Sequence, residues 1–410
     1  MPTSLYIHWP FCPYRCSFCP FVALAGQDQF MQPYHDALCT EIASKSTQEK
    51  IESIFIGGGT PSTYPPKLLL DMFGILNMSY QKSPECEITI EVNPGTLTAE
   101  HVSAWKQVGI NRISLGVQSL SDTTLLLLNR HHTRADVERA LELLAGSFSS
   151  VSIDLMIGLP GSTMQQWKET LRTVVTWPIQ HLSIYFLTLH NKTPFVYQLK
   201  SGVDKALRPT SQGMNISMYR WAADFLATVG FERYEVSNFA KKGYQSSHNK
   251  AYWDRKRYYG FGLGACSFDG QVRTRNHANL SCYFDAITSG KEPIEFSEQL
   301  TLLQHVSERI MLSLRQAHGV DLQSIFVEVS PQSVLMLTDL ATQLCRSGLA
   351  LMQDERLVLT SRGYALEHEI SVRLVQCIAK CTKNCTSICR SENATNDQSD
   401  LGQNGECHVL

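Results

Sequence analysis

The sequence predicts an α/β protein. It should contain a partial (β/α)6 barrel, an extension covering the barrel mouth, and a small C-terminal helical or winged-helix-like domain. Three observations predict this. Over about the first 190 residues, short β-branched or apolar runs alternate six times with amphipathic helical stretches. That rhythm builds a parallel sheet with crossover helices. The C-terminal ends of several strand candidates carry unusual residues: Gly57-Gly58-Gly59-Thr60, Glu91-Val92-Asn93-Pro94-Gly95, Gln118-Ser119 and Gly158-Leu159-Pro160-Gly161. Parallel β/α folds place their ligands at those ends. Finally, 410 residues exceed what one hydrophobic core normally holds, so two or three units are expected.

The strand candidates are Leu5 to Trp9, Ser53 to Ile56, Glu87 to Val92, Arg112 to Val117, Val151 to Met156 and His181 to Phe186. Helical periodicity falls between them near Pro33 to Ala43, Pro66 to Leu76, Ala99 to Val108, Arg134 to Leu144 and Met164 to Val175. Several of these runs open on a Ser, Thr or Pro, as helix starts do. These elements form the expected β/α core, residues 1–200. Residues 201–294 are rich in aromatics, Asn and Gly without a β/α rhythm, and are expected to cover the barrel mouth. Residues 295–370 turn helical and end in two short apolar runs, Leu349 to Met352 and Glu355 to Thr360, which suggest a hairpin after helices. From 371 to 410 a Cys-rich, polar, aperiodic tail is expected to be disordered.

A formal net charge of −2, without a long Lys/Arg run, offers no field to gather phosphate backbones, so nucleic acid is not expected as a partner. No stretch approaches the roughly 20 apolar residues needed to span a bilayer, and no secretory signal pattern opens the chain. A cytoplasmic protein is the expectation.

Thirteen cysteines are present, and three are packed as Cys12-x3-Cys16-x2-Cys19 rather than spread as a disulfide framework. In a reducing compartment such clustering points to metal or redox chemistry. Pro10 and Pro13 keep this segment from continuing as regular structure, so the thiolates sit on a loop directly after a strand. Three thiolates on a [4Fe–4S] cluster leave one iron open to a small molecule. The alternative is a closed Cys3His zinc site completed by His8. Read alone, the triple glycine is an ordinary turn, and Asp154 an ordinary core acid or helix cap.

The segment Tyr6-Ile-His-Trp-Pro-Phe-Cys-Pro-Tyr-Arg-Cys-Ser-Phe-Cys19 resembles the signature of the radical S-adenosylmethionine enzymes. The resemblance is to the branch holding oxygen-independent coproporphyrinogen III oxidase and the HemW-type haem chaperones. Gly57-Gly-Gly-Thr-Pro-Ser62, Glu91-Val-Asn-Pro94, Arg112-Ile-Ser-Leu-Gly-Val-Gln-Ser119, Asn129-Arg-His-His132, Ile153-Asp-Leu-Met-Ile-Gly-Leu-Pro160 and Tyr234-Glu-Val-Ser-Asn238 follow in that branch's order. The likeness runs over roughly residues 3 to 370. It implies a [4Fe–4S] cluster on Cys12, Cys16 and Cys19 that cleaves S-adenosylmethionine to a 5′-deoxyadenosyl radical. Matching positions imply S-adenosylmethionine contacts from Tyr6, Phe18, Gly58, Gly59, Thr60, Glu91, Gln118, Arg130 and Asp154.

The oxidases of this branch carry a fourth cysteine two residues after the third, where this chain has Phe21, and a longer N-terminal extension. Oxidase activity is therefore not expected, although a radical enzyme is the alternative class. The sequence His248-Asn249-Lys-Ala-Tyr252-Trp253 matches the His-Asn-x-x-Tyr-Trp element of the haem-binding branch. It implies an axial imidazole beside two aromatic rings able to line a porphyrin pocket. His131, His132 and His277 are alternative haem ligands. The resemblance implies a haem chaperone whose acceptor protein is unknown and open to being membrane-bound; a homodimer is left open. Outside the family pattern, Cys377-x3-Cys381-x3-Cys385-x3-Cys389 would form a drifting stripe if helical, with Cys407-His408 beyond it. Cys39, Cys86, Cys266, Cys282 and Cys345 stand isolated and are expected in the interior.

Overall fold

The computed structural model describes residues 3–47, 49–191, 193–201 and 207–388, with side chains described as far as residue 379. The chain divides into two compact units, residues 1–251 with 256–299, and residues 252–255 with 300–410.

The first unit is built on six parallel strands: β1 (Thr3–Trp9), β2 (Lys50–Gly58), β3 (Gln81–Val92), β4 (Arg112–Gln118), β5 (Ser150–Ile157) and β6 (His181–Phe186). Each predicted strand lies within one of them. The crossover helices are α1 (Met31–Ser44), α2 (Pro66–Ser79), α3 (Ala99–Val108), α4 (Arg134–Leu144) and α5 (Met164–Val174). Their starts follow from local chemistry. Thr98 caps α3 by accepting from the His101 amide, and Thr133 and Thr163 form reciprocal capping boxes with Asp136 and Gln166. Residues facing the helices, such as Ile54, Ile90, Ile113, Leu115, Ile153 and Leu155, are buried. On β4 the alternate set, Ser114, Gly116 and Gln118, is only half-buried, as are Glu91 and Asp154. This period-two pattern leaves a polar inner face on the sheet.

Residues 201–294 do not behave as a separate cover. Strands β7 (Glu232–Arg233) and β8 (Asn238–Ala240) extend the sheet antiparallel beyond β6. Strands β9 (Tyr258–Phe261), β10 (Cys266–Phe268), β11 (Val272–Asn276) and β12 (Ile294–Gln299) extend it beyond β1. The full order is β12-β11-β10-β9-β1-β2-β3-β4-β5-β6-β8-β7. The expectation of a mouth cover is corrected further by the segment 234–248. Arg112 at the start of β4 donates to the Tyr244 carbonyl, His181 at the start of β6 bonds the Tyr234 hydroxyl, and Glu87 accepts from Ser246 and the amides of Ser247 and His248. These contacts lie toward the N-terminal ends of the strands, opposite the predicted site. Buried strand-end polar groups require partners, and this segment supplies them.

In the second unit, α6 (Leu302–Arg315), α7 (Pro331–Arg346) and α8 (Glu367–Ile388) accompany a three-stranded sheet of Val320–Asp321, Arg356–Leu359 and Ala350–Gln353. Val306, Ile310, Leu314, Leu337, Leu344, Leu357 and Leu374 form its core. The expected helices and hairpin are present, with the unit beginning at Leu300 rather than 295. The expected disordered tail is corrected over its first part, because α8 continues to Ile388. Ile370, Leu374, Cys377 and Ile378 recur at helical spacing and are all buried, so this stretch is held by its apolar stripe. Cys377 donates to the Arg373 carbonyl at 3.3 Å. Cys381, Cys385, Cys389, Cys407 and His408 lie outside the described side chains. Of the isolated cysteines, Cys39 and Cys86 are buried as expected, while Cys282 is exposed.

Candidate cluster and cofactor site

The cysteine loop leaves β1 through Pro10 and is pinned at its start by a short parallel pairing of Phe11–Cys12 with Leu24–Ala25. Two backbone bonds fasten it to the triple glycine: the Gly59 amide donates to the Trp9 carbonyl at 2.8 Å and the Thr60 amide to Phe11 at 2.9 Å. A methyl group added at Gly59 would overlap the Pro10 carbonyl oxygen, and one added at Gly58, whose φ is +115°, would stand 2.5 Å from the His8 ring. The glycines are therefore required by the close approach of β2 to the cysteine loop. The space their missing side chains leave is filled by this chain's own atoms.

Cys12 is buried, and Cys16 and Cys19 are partly exposed. Thr60 Oγ1 donates to Cys12 Sγ at 3.3 Å, and Arg130 Nη1 to Cys16 Sγ at 3.5 Å. Burial, reinforced by the neighbouring Cys16 and Cys12 thiols, pushes the Cys19 thiol up to about 11. Burial also raises Cys12, against the pull of the Thr60 hydroxyl. Phe18 packs against the apolar cluster of Leu128, Met156, Leu159, Phe195 and Leu207. His8 is not a fourth ligand. Its Nε2 donates to the Val22 carbonyl at 2.9 Å and its Nδ1 bonds the Tyr6 hydroxyl at 3.0 Å. Burial lowers it to about 4, so it is neutral and fully engaged.

Tyr6, Glu91, Gln118, Arg130 and Asp154 sit on or against the polar inner face. Glu91 accepts from the Gly58 amide at 3.1 Å, and Asp154 accepts from Ser114 at 3.1 and 3.2 Å. Burial first, and the charge of Asp154 second, pushes Glu91 up to about 8; burial pushes Asp154 up to about 6 against the Ser183 and Ser114 hydroxyls. Two acids so held are short of a cation. Arg130 donates to the Gly116 carbonyl at 2.6 Å while its buried Nε has no partner, and Gln118 takes a φ of +66°. Gly116 and Ser114 escaped the sequence reading. The polar alternation along β4 carried that signal, because every second residue there is Ser, Gly or Gln and these share the half-buried inner face.

The haem element sits elsewhere. His248 lies on the helix Ser247–Trp253, is 0% exposed, bonds Ser53 at 2.8 Å and stacks on Phe55. Tyr252 and Trp253 are buried, and Asn249 is half-buried. The division between the units falls inside this helix, after Ala251. The imidazole is closed off in this conformation: burial lowers His248 to about 3, and its ring packs against Ser53 and Phe55. Of the alternatives, His132 is buried against the Val117 carbonyl, His131 is exposed and stacked on Tyr14 at 4.0 Å, and His277 is half-buried.

Three neighbouring thiols at the C-terminal rim of six parallel β/α strands, beside paired acids and a half-buried arginine, define a radical SAM protein. The Radical SAM superfamily profile matches residues 6–174. The heme chaperone HemW of Bacillus subtilis is 32% identical over 90% of this chain and 97% of its own length. The mouse mitochondrial radical S-adenosyl methionine domain-containing protein 1 is 33% identical over 74% of this chain and 67% of its own. Coproporphyrinogen III oxidase (HemN) from Escherichia coli superposes with a TM-score of 0.79 over 91% of this chain and 90% of its own, at 22% identity, which establishes the shared fold. The chain belongs to the HemW family of the radical SAM superfamily. Membership implies a [4Fe–4S] cluster and S-adenosylmethionine, and the residues fit both: the three thiols are close enough to raise one another while His8 is engaged elsewhere, and two raised acids lie on the polar inner face with an unpartnered guanidinium nitrogen of Arg130.

Proposed function

We propose that this protein is a haem chaperone: it binds haem and passes it to an acceptor protein, while holding a [4Fe–4S] cluster and S-adenosylmethionine. The observation that carries this reading is the match to the Bacillus subtilis HemW along 97% of that protein. The exposed Phe21, standing where the oxidases have a further cysteine, argues against the alternative of porphyrinogen decarboxylation.

Cys12, Cys16 and Cys19 would hold the cluster, which when bound supplies an electron to the sulfonium of S-adenosylmethionine. The chain's own residues set the conditions for that chemistry. Thr60 and Arg130 place hydrogen bonds on two of the ligating sulfurs, which tunes the charge they carry. Glu91 and Asp154 would bind the cofactor's cationic and hydroxyl groups, and a cation between them would restore their ionised forms. Arg130 Nε offers a donor to a carboxylate. Phe18, seated on the apolar cluster at the strand ends, fixes the loop on that side. In the conformation described, His248 is walled off from solvent, so haem contact through it would require the helix Ser247–Trp253 to open.

An anaerobic haem titration of the cluster-reconstituted protein, followed at the Soret band, tests the reading. Saturation near one haem per chain, with transfer to an apo-haemoprotein on mixing, is expected. An unsaturable, linear rise in absorbance would overturn the chaperone reading in favour of a radical enzyme with another substrate.

A further inference from the structure

His35 and Cys39 lie one turn apart on α1 and so share a face. Asp71 of α2 reaches the same point. His35 Nε2 stands 3.0 Å from Asp71 Oδ2 and 3.6 Å from Cys39 Sγ, and one ligand atom from each of the three lies within 4.8 Å of the other two. A tetrahedral zinc ion with Zn–N and Zn–O near 2.0–2.2 Å and Zn–S near 2.3 Å places its nitrogen and sulfur ligands about 3.6 Å apart, and its nitrogen and oxygen ligands about 3.3 Å apart. The observed separations match the first and come within a few tenths of an ångström of the second.

The ring is held as a metal-ligating histidine is held. His35 Nδ1 bonds the Tyr64 hydroxyl at 2.8 Å, and Tyr64 is fully buried and stacked on Trp9 at 3.7 Å. An outer partner on one nitrogen fixes the orientation of the other. His35 and Cys39 are 1% and 6% exposed, while the Asp71 side chain is 66% exposed, so solvent reaches the group from one side only. That side provides an entry path and a fourth position for water. Burial, then Asp71 and Asp36, pushes the Cys39 thiol up to about 12, so the thiol carries its proton until a cation arrives.

We propose that His35 Nε2, Cys39 Sγ and Asp71 Oδ2 bind one divalent transition-metal ion of the zinc type, which clips α1 to α2. Coordination displaces the thiol proton to solvent, and no redox change is involved. This site shares no residue with those assigned to the cluster or to haem.

The test uses the cluster-loaded full-length chain, stripped of loosely bound metal with a chelator and dialysed anaerobically against micromolar zinc. Zinc and iron per chain are counted by mass spectrometry in the parent, in Cys39→Ser and in Asp71→Asn. The parent should hold one zinc more than either variant at equal iron, with affinity in Asp71→Asn down at least about tenfold. Equal zinc in all three proteins at equal iron would overturn the proposal. Should Cys39→Ser lose iron through misfolding, Asp71→Asn, altered only at an exposed carboxylate, decides alone.

Discussion

Thr60 shows how single side chains set the properties of this site. Its hydroxyl donates to Cys12 Sγ, and a hydrogen bond to a ligating sulfur stabilises the more negative, reduced cluster. Thr60→Val keeps the shape and removes the donor. Removing about 1 kcal/mol of interaction should lower the one-electron potential of the reconstituted cluster by about 40 mV, which an anaerobic redox titration followed by electron paramagnetic resonance would measure. An unchanged potential would show that the hydroxyl bonds elsewhere once the cluster is bound. His248 makes the opposite kind of prediction. Its ring is buried between Ser53 and Phe55, so His248→Ala should cost about 2–4 kcal/mol through a cavity and an unpaired polar group. Chemical denaturation would read that loss. The stoichiometry of haem at saturation should stay the same, because this ring does not face an open pocket.

At the scale of elements, the decisive contact is the crossing of the β2 end over the cysteine loop. The amides of Gly59 and Thr60 anchor Trp9 and Phe11, and a side chain at Gly59 has the Pro10 carbonyl in its way. The backbone carbonyl cannot swing aside as a flexible side chain would. Gly59→Ala should therefore displace the loop and at least halve the iron retained after reconstitution, with the rest of the fold intact by circular dichroism. Full iron loading in that variant would mean that the loop tolerates the shift. The inner face of β4 belongs to the same scale. Ser114 donates to Asp154 and the Gly116 carbonyl accepts from Arg130, so this face of the strand holds both charged groups in place.

For the whole molecule, the buried ionisable groups combine into a pH profile. Glu91 at about 8 and Asp154 at about 6 are raised from 4.5 and 3.8, so the folded protein binds more protons than the unfolded chain between these values. Their stabilising contribution is complete below the unfolded values and is lost as pH rises through the folded ones. His8, His132 and His248 are depressed below 6.5, so their contribution is complete above 6.5 and is lost as pH falls through about 4 to 3. The two sets oppose each other below pH 6.5. Above it only Glu91 changes among them, so the ligand-free protein should lose about 1 kcal/mol between pH 6.5 and 8, after allowing for the solvent that reaches this half-buried acid. Thermal melts across that window should slope downward in the parent and be flat in Glu91→Gln. Parallel slopes would show that other groups carry the change.

The sequence by itself determined what repeats or what chemistry marks locally. Six strands and their crossover helices were readable because burial on the helix-facing side imposes a period of two on strands and of about 3.6 on helices. The three thiols were readable because a cluster needs them close along the chain, and the family motifs fell in order around them. Only the tertiary structure decided what depends on distant segments meeting. The stretch 201–294 joins both edges of the sheet and closes its N-terminal side, since its short strands are set by pairing partners rather than by their own pattern. The same dependence buries His248 on Ser53, 195 residues away, and turns the glycines toward His8 and Pro10. It also brings Asp71 to His35 and Cys39, which no spacing along the chain announced.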